Sequence, residues 1–148
     1  MFTLAFTGDV MLGRGVNEAV NSFGPAYPWG NCLSRLATAD LRLINLECVI
    51  TNYRQPWTKT PKVFFFRADP LALATLKLAQ IDFISLANNH TLDFQEEGLK
   101  EMLKLLKEAK IAFAGAGENL NKASAPAYLI KKGLKVGVIA LTDNEPAW

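Results

Sequence analysis

Five short apolar runs, Thr3 to Thr7, Leu41 to Leu46, Phe83 to Ala87, Ile111 to Ala114 and Val136 to Leu141, alternate along the chain with segments of helical character. That alternation constrains the fold more than any other feature. Strands separated by helices pair in parallel, so the pattern predicts an α/β fold with a largely parallel sheet. The density of Ile, Leu, Val and Phe in the runs predicts strands covered on both faces. Of the 148 residues 50% are hydrophobic, which fits one domain over 1–148 with a core large enough to fold alone.

The clearest helix places Leu99, Met102, Leu103 and Leu106 at i, i+3, i+4 and i+7, with Lys100, Lys104, Lys107 and Glu108 on the other side. Asp93 stands where it either caps that helix or acts just ahead of it. A second helix is expected from an N-cap at Asp69 and a proline at the first helical position, Pro70, running through Leu71 to Ala79. Between the strands, TNYRQPWTKTPK (Thr51 to Lys62) lacks periodicity and carries two prolines, which predicts a surface loop close to the strand ends. Lys131-Lys132-Gly133 reads as the turn of a hairpin between Ala127 to Ile130 and Lys135 to Leu141.

Charge nominates no partner. Sixteen Lys and Arg against fourteen Asp and Glu leave a formal charge of +2 without a basic run, which speaks against nucleic acid and anionic membranes. The N-terminus enters a strand pattern without a basic n-region or long apolar h-region, and no run reaches transmembrane length, so the expectation is a cytoplasmic protein without a membrane segment. Cys32 and Cys48 fit no metal or redox spacing and are expected to be two buried thiols.

In a parallel sheet, ligands collect at the carboxyl ends of the strands. Three runs end there in polar clusters. In TGDVMLGRG, Gly8 permits a tight turn, Asp9 projects a carboxylate, and Arg14 follows as a fork for an anion. In INLEC, period-2 alternation sends Asn45 and Glu47 to one side and Leu46 and Cys48 to the other. ANNHTLD supplies Asn88, Asn89, His90 and Asp93, and His90 is the only histidine of the chain. Asp9, Glu47 and Asn89 are oxygen donors suited to a hard cation, and the imidazole of His90 transfers protons near neutral pH.

Each of these residues also has a plainer reading. Asp9 can cap a turn, Glu47 can be solvated or paired, His90 can be a satisfied loop histidine, and Arg14 can form a surface ion pair with Asp9. GAGEN (Gly115 to Asn119) offers a phosphate cradle, with a plain turn the better reading. Trp29, Trp57 and Trp148 are scattered and read as packing residues rather than stacking platforms.

The ordered set FTGDVMLGRGV, AYPWG, ADLRLINLE, SLANNHTLDF, KIAFAGAGEN and ASAPAYLIKKGLKVGVIAL resembles the N-terminal half of the CapA family, the bacterial capsule and poly-gamma-glutamate synthesis proteins, within the calcineurin-like metallophosphoesterase superfamily. The resemblance implies the N-terminal half of a metallophosphoesterase-like fold, a mixed, largely parallel sheet flanked by helices, four-layered αββα when complete. It also implies a metal-dependent hydrolase acting on phosphoesters or gamma-glutamyl amides. Carried over by position, Asp9, Glu47 and Asn89 become metal ligands, His90 the proton donor, Asp93 its orienting partner and Arg14 the holder of an anionic substrate. The implied cofactor is a divalent metal, Mn²⁺ or similar, with two ions in a full-length protein.

Two departures accompany the resemblance. Met11 stands where the superfamily's first motif has histidine, and no histidine follows His90. The resulting expectation is a chain that carries the first half of a site, inactive by itself. The alternative is a non-catalytic protein that binds an anionic polymer or assists a synthase.

Overall fold

In the computed structural model, which describes residues 1–145, the chain forms β1 (Leu4–Val10), α1 (Arg14–Phe23), α2 (Cys32–Leu36), β2 (Leu41–Leu46), β3 (Val49–Ile50) and β4 (Arg67–Ala68). It continues with α3 (Ala72–Leu78), β5 (Phe83–Ser85), α4 (Gln95–Glu108), β6 (Ala112–Ala114), α5 (Leu120–Ala123), β7 (Ala127–Lys131) and β8 (Leu134–Val138). The central sheet has the order β1-β2-β5-β6, and every pair in it is parallel. β3 and β4 make a short parallel pair beside it, and β7 and β8 an antiparallel hairpin.

Period-2 alternation layers the molecule. Ile44 and Leu46 of β2 and Ile84 of β5 join one buried cluster with Leu76 of α3 and Met102, Leu103 and Leu106 of α4. Leu41, Leu43 and Phe83 point the other way and meet the hairpin through Leu129, Val136 and Val138. α4 covers the first face with the residues that its 3.6-residue periodicity selects. The expectation of strands covered on both faces holds for β2 but not for β1, where Phe6 is 69% exposed. β1 is an edge strand, and the hairpin does not extend over Phe6, so its side chain lies open on a strand whose inner neighbour is buried.

β1 and β2 do not run in simple register. Phe6 stands level with Leu43 and Asp9 with Asn45, so β1 inserts one residue more than β2 over that span. Gly8, at φ +71°, takes the conformation that the insertion needs. The hairpin turns as the sequence suggests, on Lys132 and Gly133 at φ +49° and +76°. Among the described residues no helix is long and apolar enough to cross a membrane.

Asp69 does not cap α3 with its side chain. α3 begins at Ala72, whose N–H donates to the Asp69 carbonyl at 2.9 Å. The carboxylate instead accepts from Asn17 Nδ2 at 2.9 Å and Arg67 at 2.8 Å, joining α1 to the loop after β4. A guanidinium and an amide satisfy the charge better than helix N–H groups already served by backbone.

The hydrogen bond from Asn17 is the main reason that the Asp69 carboxyl lies below its ordinary value of 3.8, with Arg67 adding to it against the cost of desolvation. A depressed carboxyl binds its proton less tightly in the folded state, so its stabilisation is present above the unfolded value and is lost as pH falls through the lower folded value. Asp69→Asn is expected to cost about 1–2 kcal/mol at neutral pH and to flatten the acid limb of stability. Urea midpoints at neutral pH and near pH ~2.5 check this, and an unchanged acid limb refutes it.

Candidate functional site

The carboxyl ends of β1, β2 and β5 meet through a chain of amides. Asn45 Nδ2 donates to Asp9 Oδ1 at 2.8 Å and to Glu47 Oε1 at 3.2 Å, so one amide draws both carboxylates toward it. Asn88 Nδ2 donates in turn to Asn45 Oδ1 at 2.9 Å and to the Leu46 carbonyl at 3.0 Å. Asn88 Oδ1 accepts from the backbone N–H of His90 at 2.9 Å, so the one amide ties the loop after β5 to the end of β2. Asp9 is exposed and Glu47 half-buried, so the two carboxylates open to solvent on one side while held on the other.

His90 is buried and held on two sides. Its Nδ1 lies 2.7 Å from Asp93 Oδ2, and its ring stacks on Phe66 with centroids 4.1 Å apart. Asp93 is fully buried. Its Oδ2 also accepts from the Phe66 backbone N–H at 2.6 Å, and its Oδ1 pairs with Lys62 Nζ at 3.0 Å. A carboxylate so paired accepts rather than donates, so a neutral ring in this setting carries its proton on Nδ1 and leaves Nε2 without one. Of the two readings for Asp93, the cap is the wrong one: α4 starts after Phe94 without a side-chain cap, because the carboxylate is consumed inside the site.

Arg14 closes no ion pair with Asp9 among the described residues. Its guanidinium lies over the rings of Phe66 and Phe64, 4.9 and 5.2 Å from their centroids. Through Phe66 it stands one ring away from His90. Met11 turns its sulfur to the Gly13 N–H at 3.0 Å. Asn89, half-buried, offers its backbone carbonyl to Lys62.

In kind, the donors suit a hard divalent cation. Two carboxylates converge on a single donor, with an asparagine on the neighbouring loop. Among the described residues they are not joined by a third acidic, histidine or cysteine side chain as a cation-holding group. The residues therefore fit part of a metal site.

Sequence reasoning singled out Asp9, Glu47, Asn89, His90, Asp93 and Arg14, and gave Asn45 and Asn88 no linking role. Asn45 and Asn88 are legible as strand-end amides, and only the folded register makes them the link between two carboxylates. Lys62 gives no local signal, being one lysine in a proline-bearing loop. Around the site, the plainer readings hold for several residues. Trp57 is buried and bonds Thr60, Trp29 Nε1 donates to the Thr75 carbonyl, and Trp148 lies outside the described residues. Gly115, at φ +90°, is a close-approach turn where a Cβ would stand 2.5 Å from that of Ala87, and Asn119 caps the four-residue α5. Of the two thiols only Cys48 is buried, and burial pushes it up to about 12; Cys32, on the outer side of the short α2, is exposed.

Comparison with known proteins gives one family and several relatives. The family described as bacterial capsule synthesis protein PGA_cap matches residues 3–148. The capsule biosynthesis protein CapA of Bacillus anthracis is 31% identical over 142 residues, covering 95% of this chain and 34% of that protein. A probable polyglutamine synthesis accessory protein of Mycobacterium tuberculosis (strain H37Rv) is 32% identical over 160 residues, covering 86% of this chain and 42% of that protein. The PGA biosynthesis protein CapA of Bacillus subtilis is 23% identical over 144 residues, covering 97% and 38%. The chain thus spans between a third and a little over two fifths of these relatives.

Proposed function

Because the chain belongs to the bacterial capsule synthesis protein PGA_cap family, matched over residues 3–148, we propose that it carries the first half of a metal-dependent hydrolase site in a CapA-like protein of capsule or polyglutamate synthesis. The substrate class is an anionic one, a phosphoester or a gamma-glutamyl amide. One observation carries this reading: the Asn45 amide holds Asp9 and Glu47 together at the strand ends, next to the loop that carries Asn89 and a buried His90 oriented by Asp93.

Asp9, Glu47 and the side-chain oxygen of Asn89 are the groups that would hold a divalent cation such as Mn²⁺. The chemistry supplied by such a cation, when bound, is Lewis-acid polarisation of the scissile group and a lowered pKa of water. The residues of this chain do the rest. Asp93 keeps the His90 proton on Nδ1 and aims the ring, so that Nε2 exchanges a proton with the leaving group. Arg14, exposed and braced against Phe64 and Phe66, binds the anionic end of the substrate. Stacking on Phe66 keeps water from the flat face of the imidazole.

A second reading draws on Met11, whose thioether serves a backbone N–H where a metal-binding side chain would be expected. In that reading Arg14 and its aromatic bed bind an anionic polymer without turnover. Titration calorimetry separates the two. Mn²⁺ is expected to bind the chain with a heat that Asp9→Ala abolishes. Absence of that heat in the unaltered chain overturns the hydrolase reading and leaves polymer binding, which Arg14→Ala is then expected to weaken.

A further inference from the structure

The loop that precedes β4 is more than a connection. It meets the His90 loop at several points: the Trp57 N–H donates to the Asp93 carbonyl at 2.9 Å, Pro56 accepts from Gln95 Nε2 at 2.9 Å, and the Phe66 N–H and ring meet Asp93 and His90. Lys62 brings a charge from this loop into the His90 loop. Its ammonium bonds the Asn89 carbonyl, one residue before His90, and pairs with Asp93 Oδ1, three residues after it. The side chain is only 9% exposed, and the carboxylate that it meets is 0% exposed.

We infer that Lys62 is a positioning residue, which fixes His90 as its Nδ1–H tautomer by clamping Asn89 and Asp93 on either side of it. The physical argument is one of valence. Asp93 has two oxygens, and His90 and the Phe66 N–H both bind Oδ2. Lys62 faces Oδ1 as an ion pair rather than as a hydrogen-bond donor, which compensates the buried charge and favours the rotation in which Oδ2 faces the imidazole. Without the ammonium the carboxylate has no reason to hold that rotation, and the Asn89 carbonyl loses the contact that fixes the backbone beside His90. Glu145, 3.5 Å from the same ammonium, lies at the rim and steadies Lys62 from outside. The inference rests on the hydrolase reading only for the use made of His90. The clamp itself is independent of any metal.

The chain has a single histidine, so ¹⁵N spectra of its ring nitrogens report on His90 alone. In alkaline buffer, with the ring neutral and no metal added, the unaltered chain is expected to show two widely separated ring-nitrogen shifts, with the proton on Nδ1. In Lys62→Met the two shifts are expected to converge as the tautomers mix, and in Lys62→Arg, which keeps a cation, to remain apart. Lys62→Gln is run beside them so that the comparison does not depend on the folding of one variant, and melting curves identify the folded ones. An Nε2–H tautomer in the unaltered chain overturns the inference by itself, as does a folded Lys62→Met or Lys62→Gln whose shifts match the unaltered chain. Loss of stability with an unchanged tautomer marks a merely structural lysine and also overturns it. A failed Mn²⁺ titration sinks the hydrolase reading while leaving these spectra to decide on Lys62.

Discussion

Arg42→Ala is expected to lower the unfolding free energy by about 3–5 kcal/mol, the largest single loss in the sheet. The Arg42 side chain is 5% exposed, and its guanidinium serves four acceptors from two parts of the chain. Nε donates to the Leu36 carbonyl at 2.8 Å, and the second nitrogen to those of Ala39 at 2.6 Å and Ala37 at 3.4 Å, which closes the end of α2. The third nitrogen pairs with Asp82 Oδ2 at 3.0 Å, and the same carboxylate oxygen accepts from the Arg42 N–H at 2.8 Å. Truncation takes the guanidinium from the Ala37 and Ala39 carbonyls, leaves the Leu36 carbonyl with the Ala39 N–H and leaves Asp82, just ahead of β5, with the backbone N–H of residue 42, and a polar group inside a fold that loses its partner costs more than its bond contributes. Arg42→Met keeps the aliphatic stem and is expected to lose less than alanine. Urea unfolding with a common slope measures both, and a loss under about 1 kcal/mol for Arg42→Ala would contradict this account.

His90→Ala is expected to lower turnover by roughly 100-fold or more in a longer chain that includes the part its relatives have beyond this one. The cost arises from removing the only group in this half of the site that can carry a proton at Nε2. Asp93→Asn is expected to be nearly as costly though the imidazole remains, because an amide at that position can donate to Nδ1 and force the other tautomer. The hydrolysis of a generic phosphodiester and of a gamma-glutamyl peptide with added Mn²⁺ reads out both variants. Unaltered turnover in His90→Ala removes the histidine from the chemistry.

Local periodicity made much of the fold legible. β2 occupies the span that its run of apolar residues marks, α4 buries the four residues that its spacing selects, and the hairpin turns on the dipeptide that its glycine suggests. In each case the signal and the structure lie within one element. Where they do not, the sequence is mute. β1 extends to Val10, beyond its apolar run, because it pairs with β2 through Leu46. Asp69 and Asp93 look like helix caps from their neighbours in sequence, and both are claimed instead by partners far along the chain, Asn17 for one and Lys62 for the other. The site follows the same division. Its chemical residues announce themselves by type at strand ends, whereas Asn45, Lys62 and Phe66 act through contacts that no spacing encodes.

The extra residue between Phe6 and Asp9 gives the length of β1 a meaning of its own. Because side chains alternate sides, one inserted position reverses the parity of everything downstream, and here that reversal puts Asp9, rather than Gly8, level with Asn45. Two relatives could share every amino-acid type in this strand and still differ in chemistry, if one lacked a residue there and presented its carboxylate to the apolar side. A gap in this strand is therefore a change of phase, and the identity of the residue at position 9 carries its meaning only together with the count of residues that precede it.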